Sequence, residues 1–215
     1  MSVAVYEDSL RTGRSVLVRY ADGTAVPLDV ARWQGVARGA DASLLDRVSG
    51  AALDIGCGPG RLVSALAARG VFALGIDIAP EAVDLTRRAG GRALQRSVFD
   101  EVPYAGRWVS AVLADGNIGI GGDPVRLLRR TAELLAPDGR LLVELDRPGT
   151  GVRLERVRLE DADGRPGAWF KWAHVAADAL APLAAQAGLA LMDEWSMPDP
   201  PVDDSARWFA ELAPA

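Results

Sequence analysis

Hydrophobic and polar positions alternate through the middle of the chain in the rhythm of an α/β protein. Short apolar runs, typical of buried parallel strands, cover 51–55, 72–77, 93–98, 108–113 and 140–145. Between them, apolar residues recur at helical spacing over 62–70, 80–89 and 124–136. This alternation predicts a doubly wound, mostly parallel sheet with helices packed on it.

Both ends of the chain depart from this rhythm. Residues 1–49 are predicted to form an N-terminal appendage or lid, in which Ala21-Asp22-Gly23 joins the two strands of a hairpin and 33–48 is mostly helical. Alternating apolar positions around Asp161-Ala162-Asp163-Gly164 predict an inserted β-hairpin at about 148–175.

The main domain is predicted to span 50–215 and to gain two further strands at its C-terminal end. A helix over 176–187 precedes strands at 189–196 and 206–212, which a Pro-rich turn over 198–205 connects. The sheet therefore has seven predicted strands, the last two of them antiparallel.

Composition narrows the class of protein. The 215 residues, 49% of them hydrophobic and 25% charged, fit one globular domain with a small appendage. The net charge of −5 disfavours a nucleic-acid substrate. We expect no membrane span and no signal peptide, and Cys57, the single cysteine, leaves no intramolecular disulfide, which favours the cytoplasm.

A glycine-rich loop carries the strongest chemical signal. Asp54-Ile55-Gly56-Cys57-Gly58-Pro59-Gly60 lies between a predicted strand and a predicted helix, and Asp77 ends the next strand, where an acid can bind a ribose diol. A dinucleotide fingerprint would require a third glycine at Arg61. Because Asp54 suits an ammonium or sulfonium ligand better than a pyrophosphate, a nicotinamide dehydrogenase is disfavoured.

This loop resembles motif I of the class I S-adenosylmethionine-dependent methyltransferases. The segment 75–82 is similar to their second-strand motif, and 134–141 to their turn into the fifth strand, with Asp138 where glycine is usual. The resemblance covers about residues 50–146 and is greatest to small-molecule methyltransferases of the quinone-biosynthesis type. It implies a Rossmann-like seven-stranded methyltransferase fold.

The resemblance also implies S-adenosylmethionine as cofactor and a set of residues that bind it. Gly56 and Gly58, with Cys57 and Gly60 in the same loop, would line its methionine portion, Asp54 would place its amino group, and Asp77 would hold its ribose. Ile78 would pack on the adenine, and Val98 stands where the family often has an acid, with Phe99 as an apolar wall and Asp100 as a substitute acid.

Three residues are candidates for acceptor handling. Asp115 and Asn117 follow the fourth predicted strand and could position the acceptor or the transferred methyl group, although both also favour turns; Asp115 is a candidate cofactor contact as well. His174, the single histidine, could act as a general base, although it could equally cover the sheet beside Phe170 and Trp172. We expect no metal, because a Mg²⁺ site on Asp115 and Asp146 would need more oxygen ligands.

Two functions remain open at this point. The first is S-adenosylmethionine-dependent methyl transfer to a small-molecule acceptor. The alternative is a cofactor-binding but catalytically silent partner or sensor subunit. The sequence fixes neither the acceptor nor the oligomeric state.

Overall fold

A computed structural model describes residues 3–198 and 206–215, which contain eleven strands and seven α-helices. The strands are β1 (Val16–Tyr20), β2 (Ala25–Leu28), β3 (Ala52–Ile55), β4 (Ala73–Asp77), β5 (Arg92–Gln95), β6 (Trp108–Leu113), β7 (Leu135–Leu145), β8 (Val152–Asp161), β9 (Phe170–Val175), β10 (Leu189–Pro198) and β11 (Ala206–Pro214). The helices are α1 (Ala4–Thr12), α2 (Val30–Trp33), α3 (Ala40–Leu45), α4 (Arg61–Ala68), α5 (Pro80–Arg88), α6 (Pro124–Leu134) and α7 (Leu180–Gln186).

Seven strands form the central sheet in the order β10-β11-β7-β6-β3-β4-β5. The pairs β3–β4, β3–β6, β4–β5 and β6–β7 are parallel, whereas β11 runs antiparallel to both β7 and β10. The mostly parallel seven-stranded sheet predicted from the sequence is confirmed. Because the order reverses direction at β3, the carboxyl ends of β3 and its neighbours leave a crevice where ligands bind in such sheets.

The central strands are apolar because both faces of the sheet are covered. Leu53 and Ile55 of β3 belong to a cluster on one face that includes Trp108, whereas Ala52 belongs to a cluster on the other face that includes Phe209. All four residues of β3 are buried, which explains why this strand reads as a continuous apolar run with a single acid, Asp54.

A second, four-stranded antiparallel sheet, which we call the roof, has the order β2-β1-β8-β9. The N-terminal hairpin and the inserted hairpin were both expected, but they join through β1 and β8, with Val18 opposite Leu159 and Tyr20 opposite Val157. β1 and β2 thus build half of a layer that β8 and β9 of the insertion complete. The role of residues 1–49 as a lid stays a prediction.

The N-terminal segment differs from the sequence expectations in two details. The predicted helix over 33–48 is wrong in its middle, because α2 ends at Trp33 and α3 begins only at Ala40; Gly39 before α3 has a φ of 58°. Helix α1 was not predicted at all. Of the predicted turn over 198–205, residues 199–205 lie outside the part of the chain that the structure describes.

Among residues 3–198 and 206–215, no helix is both long enough and apolar enough to span a bilayer.

Candidate functional site

A cavity of about 730 Å³ lies between the central sheet and the roof. Its floor is formed by the residues that follow β3, β4 and β6, and its upper wall by the inner faces of both hairpins. Almost all the site residues expected from the sequence line it: Asp54, Gly56, Cys57, Gly58, Asp77, Ile78, Val98, Phe99, Asp115, Asn117 and His174. The structure therefore brings the loop, the second strand and the insertion to one place.

The glycine loop needs its glycines because it turns tightly against a neighbouring side chain. Gly56 and Gly58 have φ values of 75° and 53°, in the left-handed region that disfavours other residues. A Cβ on Gly56 would lie 2.7 Å from Asn117 Nδ2, which donates hydrogen bonds to the carbonyl oxygens of Ile55 (3.0 Å) and Gly56 (2.9 Å). Asn117 therefore braces the loop from across the cavity floor.

Gly60 and Cys57 hold the loop against the helices behind it. A Cβ on Gly60 would lie 2.6 Å from Thr86, and Gly60 precedes α4 without lining the cavity, so the structure gives it a packing role. Cys57 is buried, and burial raises the pKa of its thiol well above its usual value. The thiol is therefore uncharged at neutral pH.

Asp54 is a buried acid with an unfilled hydrogen-bonding position. The residues that the structure describes offer no partner to its Oδ2 atom. Burial, followed by the negative charges of Asp115 and Asp77, raises its pKa to about 8. An unpartnered buried carboxyl is costly unless a ligand completes it, so this atom marks a position for a donor or a cation.

Asp77 is held rigidly at the end of β4. Its Oδ2 accepts a hydrogen bond from the Gly58 amide and its Oδ1 accepts one from the Ala79 amide, both at 2.9 Å. Burial raises its pKa, and the backbone hydrogen bonds oppose that rise. Each oxygen keeps a second lone pair, so the carboxylate can accept two further hydrogen bonds from a diol in the cavity.

The far wall is apolar. Ile78 is 38% exposed where it lines the cavity, Val98 is buried, and Phe99 packs under the guanidinium of Arg126, which lies 4.2 Å from the ring centroid. Asp100, the expected substitute acid, is exposed and does not line the cavity. This part of the cavity is therefore lined by apolar side chains, and Asp100 does not contribute a carboxylate to it.

Asp115 lies in a buried network of charges that the sequence did not reveal. Its Oδ2 accepts a hydrogen bond from Arg61 Nη2 at 2.5 Å, Arg61 also binds Asp41, and Arg207 bridges Asp41 at 2.6 Å to Glu144 at 2.6 and 2.8 Å. Burial and then Glu144 raise the pKa of Asp115, while Arg61, Arg207 and Arg32 lower it. Asp115 has a positive φ of 53°, so the network holds it in a conformation that few residues adopt.

Arg61 shows what sequence reasoning missed here. The sequence identified it only as the residue that breaks a dinucleotide fingerprint, yet its side chain is 3% exposed and pairs with two acids. Burial lowers its pKa. Its partner Asp41 comes from α3, and Arg207, which also binds Asp41, comes from β11, so no local spacing could have revealed the network.

Two aromatic residues of the N-terminal segment also line the cavity unexpectedly. Tyr6 of α1 and Trp33 of α2 contact each other edge to face, with ring centroids 6.0 Å apart. Burial, and then the charge of Asp77, raise the pKa of Tyr6, so its hydroxyl stays protonated. The spacing of Val3, Tyr6 and Leu10 before Gly13 was the available signal for this helix.

His174 reaches the cavity from β9 at the opposite end of the roof. Its Nε2 lies 3.3 Å from the Tyr20 hydroxyl, and its Nδ1 lies 3.5 Å from Asp146 Oδ2. The two roles expected for His174 from the sequence, a general base and a residue that covers the sheet, are compatible. The ring lies on the inner face of the roof and is hydrogen-bonded there.

Metal ligands are not grouped in the described part of the chain. Nowhere within 3–198 and 206–215 do three or more His, Cys, Asp or Glu side chains stand together as a potential ion site.

Comparisons with known proteins agree with this geometry. Residues 53–143 match a family model described as a methyltransferase domain. The match to this family model spans less than half of the chain. It begins in β3 and ends in β7, so it contains the glycine loop, Asp77 and Asp115.

A curated relative is also similar in sequence to part of the chain. An uncharacterized methyltransferase of Mycobacterium tuberculosis H37Rv is 32% identical over 99 residues, which are 46% of this chain and 40% of the relative. The match thus spans less than half of that curated relative's length.

Solved structures share the fold over nearly the whole chain. A Bacteroides fragilis S-adenosylmethionine-dependent methyltransferase, solved with S-adenosylhomocysteine, aligns with a TM-score of 0.77 at 22% identity, covering 99% of this chain and 93% of that one. Burkholderia thailandensis 1,6-didemethyltoxoflavin-N1-methyltransferase, solved with 1,6-didemethyltoxoflavin and S-adenosylhomocysteine, aligns with a TM-score of 0.63 at 22% identity, covering 98% and 87%. The fold of the chain is the Rossmann-like methyltransferase fold.

Proposed function

We propose that the chain transfers a methyl group from S-adenosylmethionine to a small-molecule acceptor. The observation that carries this proposal is the unpartnered Oδ2 of buried Asp54, beside a loop whose glycines Gly56 and Gly58 line the cavity. The ammonium and sulfonium groups of this cofactor supply the positive charge that such a carboxyl needs.

The rest of the cavity fits the other parts of the cofactor. Asp77 offers two oxygen atoms already oriented by backbone amides, which suits the ribose hydroxyls. Ile78, Val98 and Phe99 offer an apolar slot for the adenine. Arg61 occupies the position where a dinucleotide-binding loop would need glycine, and its guanidinium forms ion pairs with Asp41 and Asp115.

Asp115 and Asn117 lie between the cofactor loop and the roof, and we propose that they order this boundary. The Asn117 amide nitrogen donates hydrogen bonds to two carbonyl oxygens of the loop, so Asn117 stabilises the loop's conformation. The Asp115 carboxylate adds a second negative charge near Asp54 for the methionine ammonium.

The cofactor supplies an electrophilic methyl group on a positively charged sulfur. The chain's own residues bind and orient it, exclude water beneath the roof and align the acceptor. A cavity of about 730 Å³ has room for a cofactor and a small acceptor but not for a folded polymer. We also infer a cytoplasmic, bacterial protein, from the single buried cysteine and the mycobacterial relatives.

The proposal is tested by product formation. Incubation with S-adenosylmethionine and extracts of small metabolites should release S-adenosylhomocysteine together with a product heavier by one methylene unit, both detected by mass spectrometry. Cofactor binding with no methylated product from any extract would instead support the silent partner or sensor subunit.

Cofactor affinity is expected to depend on pH through Asp54. Because the pKa of this carboxyl is about 8 in the ligand-free protein, it is mostly protonated at pH 7, and a bound cation ionises it. The association constant should therefore rise by up to about tenfold per pH unit between about pH 6 and 7.5. Calorimetry in buffers of different ionisation enthalpy should show release of a proton.

Asp54→Asn separates this linkage from other effects of pH. The variant should bind weakly with no proton release, and the ligand-free variant should be the more stable one above about pH 4. In the wild type the unfolded chain loses the carboxyl proton near pH 4 while the folded chain keeps it, so stability falls as pH rises toward 8. Asp100→Asn, at an exposed acid, should keep the wild-type linkage; loss of the linkage there would contradict the assignment.

A further inference from the structure

Three side chains that can exchange protons lie next to one another at one end of the roof, outside the cofactor loop. Tyr20 belongs to β1, His174 to β9, and Asp146 directly follows β7. All three line the cavity. Strand pairing from β1 through β8 to β9 brings the first two together, and a bridge between Asp146 and Ala176 brings the third.

The contacts among the three side chains determine which atom donates and which accepts each hydrogen bond. Asp146 Oδ2 lies 3.5 Å from His174 Nδ1, and a carboxylate accepts, so the ring proton sits on Nδ1. Nε2 is then the acceptor facing the Tyr20 hydroxyl at 3.3 Å. The hydrogen bond to His174 lowers the pKa of Asp146, which keeps this carboxylate charged.

The surrounding charges support the same order. Arg153, paired with His174 across β8 and β9, donates to Asp146 Oδ2 at 3.3 Å. Burial raises the pKa of Tyr20; Arg153 lowers it, and Glu155, Asp146 and Asp22 raise it. The Tyr20 phenol therefore stays protonated and can donate its hydrogen to His174 Nε2.

The roof around this polar end is mostly apolar. Its cavity-lining residues include Val18, Val26, Leu28, Val157, Leu159, Phe170 and Trp172. Such a surface covers a flat, apolar molecule and leaves Tyr20 and His174 to meet its polar atom.

We propose that Tyr20 and His174 form the proton-accepting pair for the acceptor, that Asp146 positions His174, and that the acceptor is an apolar, ring-containing molecule with a weakly acidic O–H or N–H group. This inference rests on the proposed methyl transfer and deepens it. The acceptor's lone pair forms the new bond to the methyl carbon as the carbon–sulfur bond breaks, with its electrons remaining on sulfur. The acceptor's proton goes to the Tyr20 oxygen as the Tyr20 proton passes to His174 Nε2, and the imidazolium later releases it to solvent.

Because His174 is the only histidine, nuclear magnetic resonance of the ¹⁵N-labelled full chain, free of any histidine tag, reads this group without ambiguity. With S-adenosylhomocysteine bound, the neutral ring should carry its proton on Nδ1. In Asp146→Asn the tautomer with its proton on Nε2 should gain population, because the carboxylate that accepts from Nδ1 is gone. A proton on Nε2 in the wild type, or an unchanged tautomer ratio in Asp146→Asn, would overturn the arrangement.

Turnover with phenols and N–H heterocycles tests the chemistry. Tyr20→Phe and His174→Gln should each lower kcat at least about 100-fold while the affinity for S-adenosylhomocysteine stays within about twofold. Asp146→Asn should lower kcat less than either of these two substitutions. Tyr104→Phe, at an exposed tyrosine that contacts Trp108 edge to face, should match the wild type.

The remaining outcomes separate this inference from the function it rests on. Absence of S-adenosylhomocysteine binding to the folded wild type would contradict the proposed function, whereas the imidazole spectra would still report the arrangement of the three residues. Binding with turnover of thiols or tertiary amines only, or unchanged kcat in both variants, would overturn the base and the acceptor class.

Discussion

Asp77→Ala is expected to weaken the binding of S-adenosylmethionine by about 2–4 kcal/mol, or roughly 30- to 1,000-fold. The carboxylate offers two charge-assisted hydrogen bonds to the ribose, and its own oxygens are oriented by the amides of Gly58 and Ala79. Alanine removes the acceptors and also frees the loop at Gly58. Calorimetric titration with S-adenosylhomocysteine measures the loss.

Asp100→Ala is the matched control, since this acid is exposed and does not line the cavity. Its affinity should equal that of the wild type. An Asp77→Ala protein with native circular dichroism and unchanged affinity would remove the ribose role, and a weakened Asp100→Ala would show that the adenine side is wrongly described.

Arg207→Met is expected to have the largest effect on stability. The substitution leaves Glu144 without the guanidinium that binds both of its oxygens, and it removes one of the two guanidinium groups that bind Asp41 in the described part of the chain. Breaking a buried ion pair from one side costs about 3–5 kcal/mol, which lowers the midpoint of thermal unfolding by roughly 6–20 °C for a chain of this length.

Two further variants show whether burial is the cause. Arg69→Met breaks an exposed pair with Asp46 and should cost less than about 1 kcal/mol. Adding Glu144→Gln to Arg207→Met should restore part of the lost stability, because the uncompensated charge is removed. Equal losses in Arg69→Met and Arg207→Met would contradict a buried network.

The sequence predicted well the features that local spacing determines. The strand and helix of the glycine loop, the strand 108–113 and both hairpins follow from runs of apolar residues and from turn residues such as Asp22-Gly23. Asp54 was identified because it lies two residues before the first glycine of the loop, and Asp77 because it ends the next strand.

The remaining features depend on residues that are far apart in the chain. The roof requires β1 to pair with β8, and the charge network joins Asp41, Arg61 and Arg207, none of which is near another in sequence. Hydrophobic periodicity carries no information on such pairings. His174 was predicted as a base only from its residue type, whereas its partners Tyr20 and Asp146 emerge from the fold.

The central claim is that the glycine loop with Asp54 and Asp77 binds S-adenosylmethionine rather than a nicotinamide dinucleotide. Calorimetric titration of the full-length wild type, first with S-adenosylhomocysteine and then in a fresh sample with NADH, tests this most directly. The structure leads us to expect saturable binding of S-adenosylhomocysteine at one site per chain and no binding of NADH. Tighter binding of NADH, or no binding of S-adenosylhomocysteine by the folded protein, would contradict it.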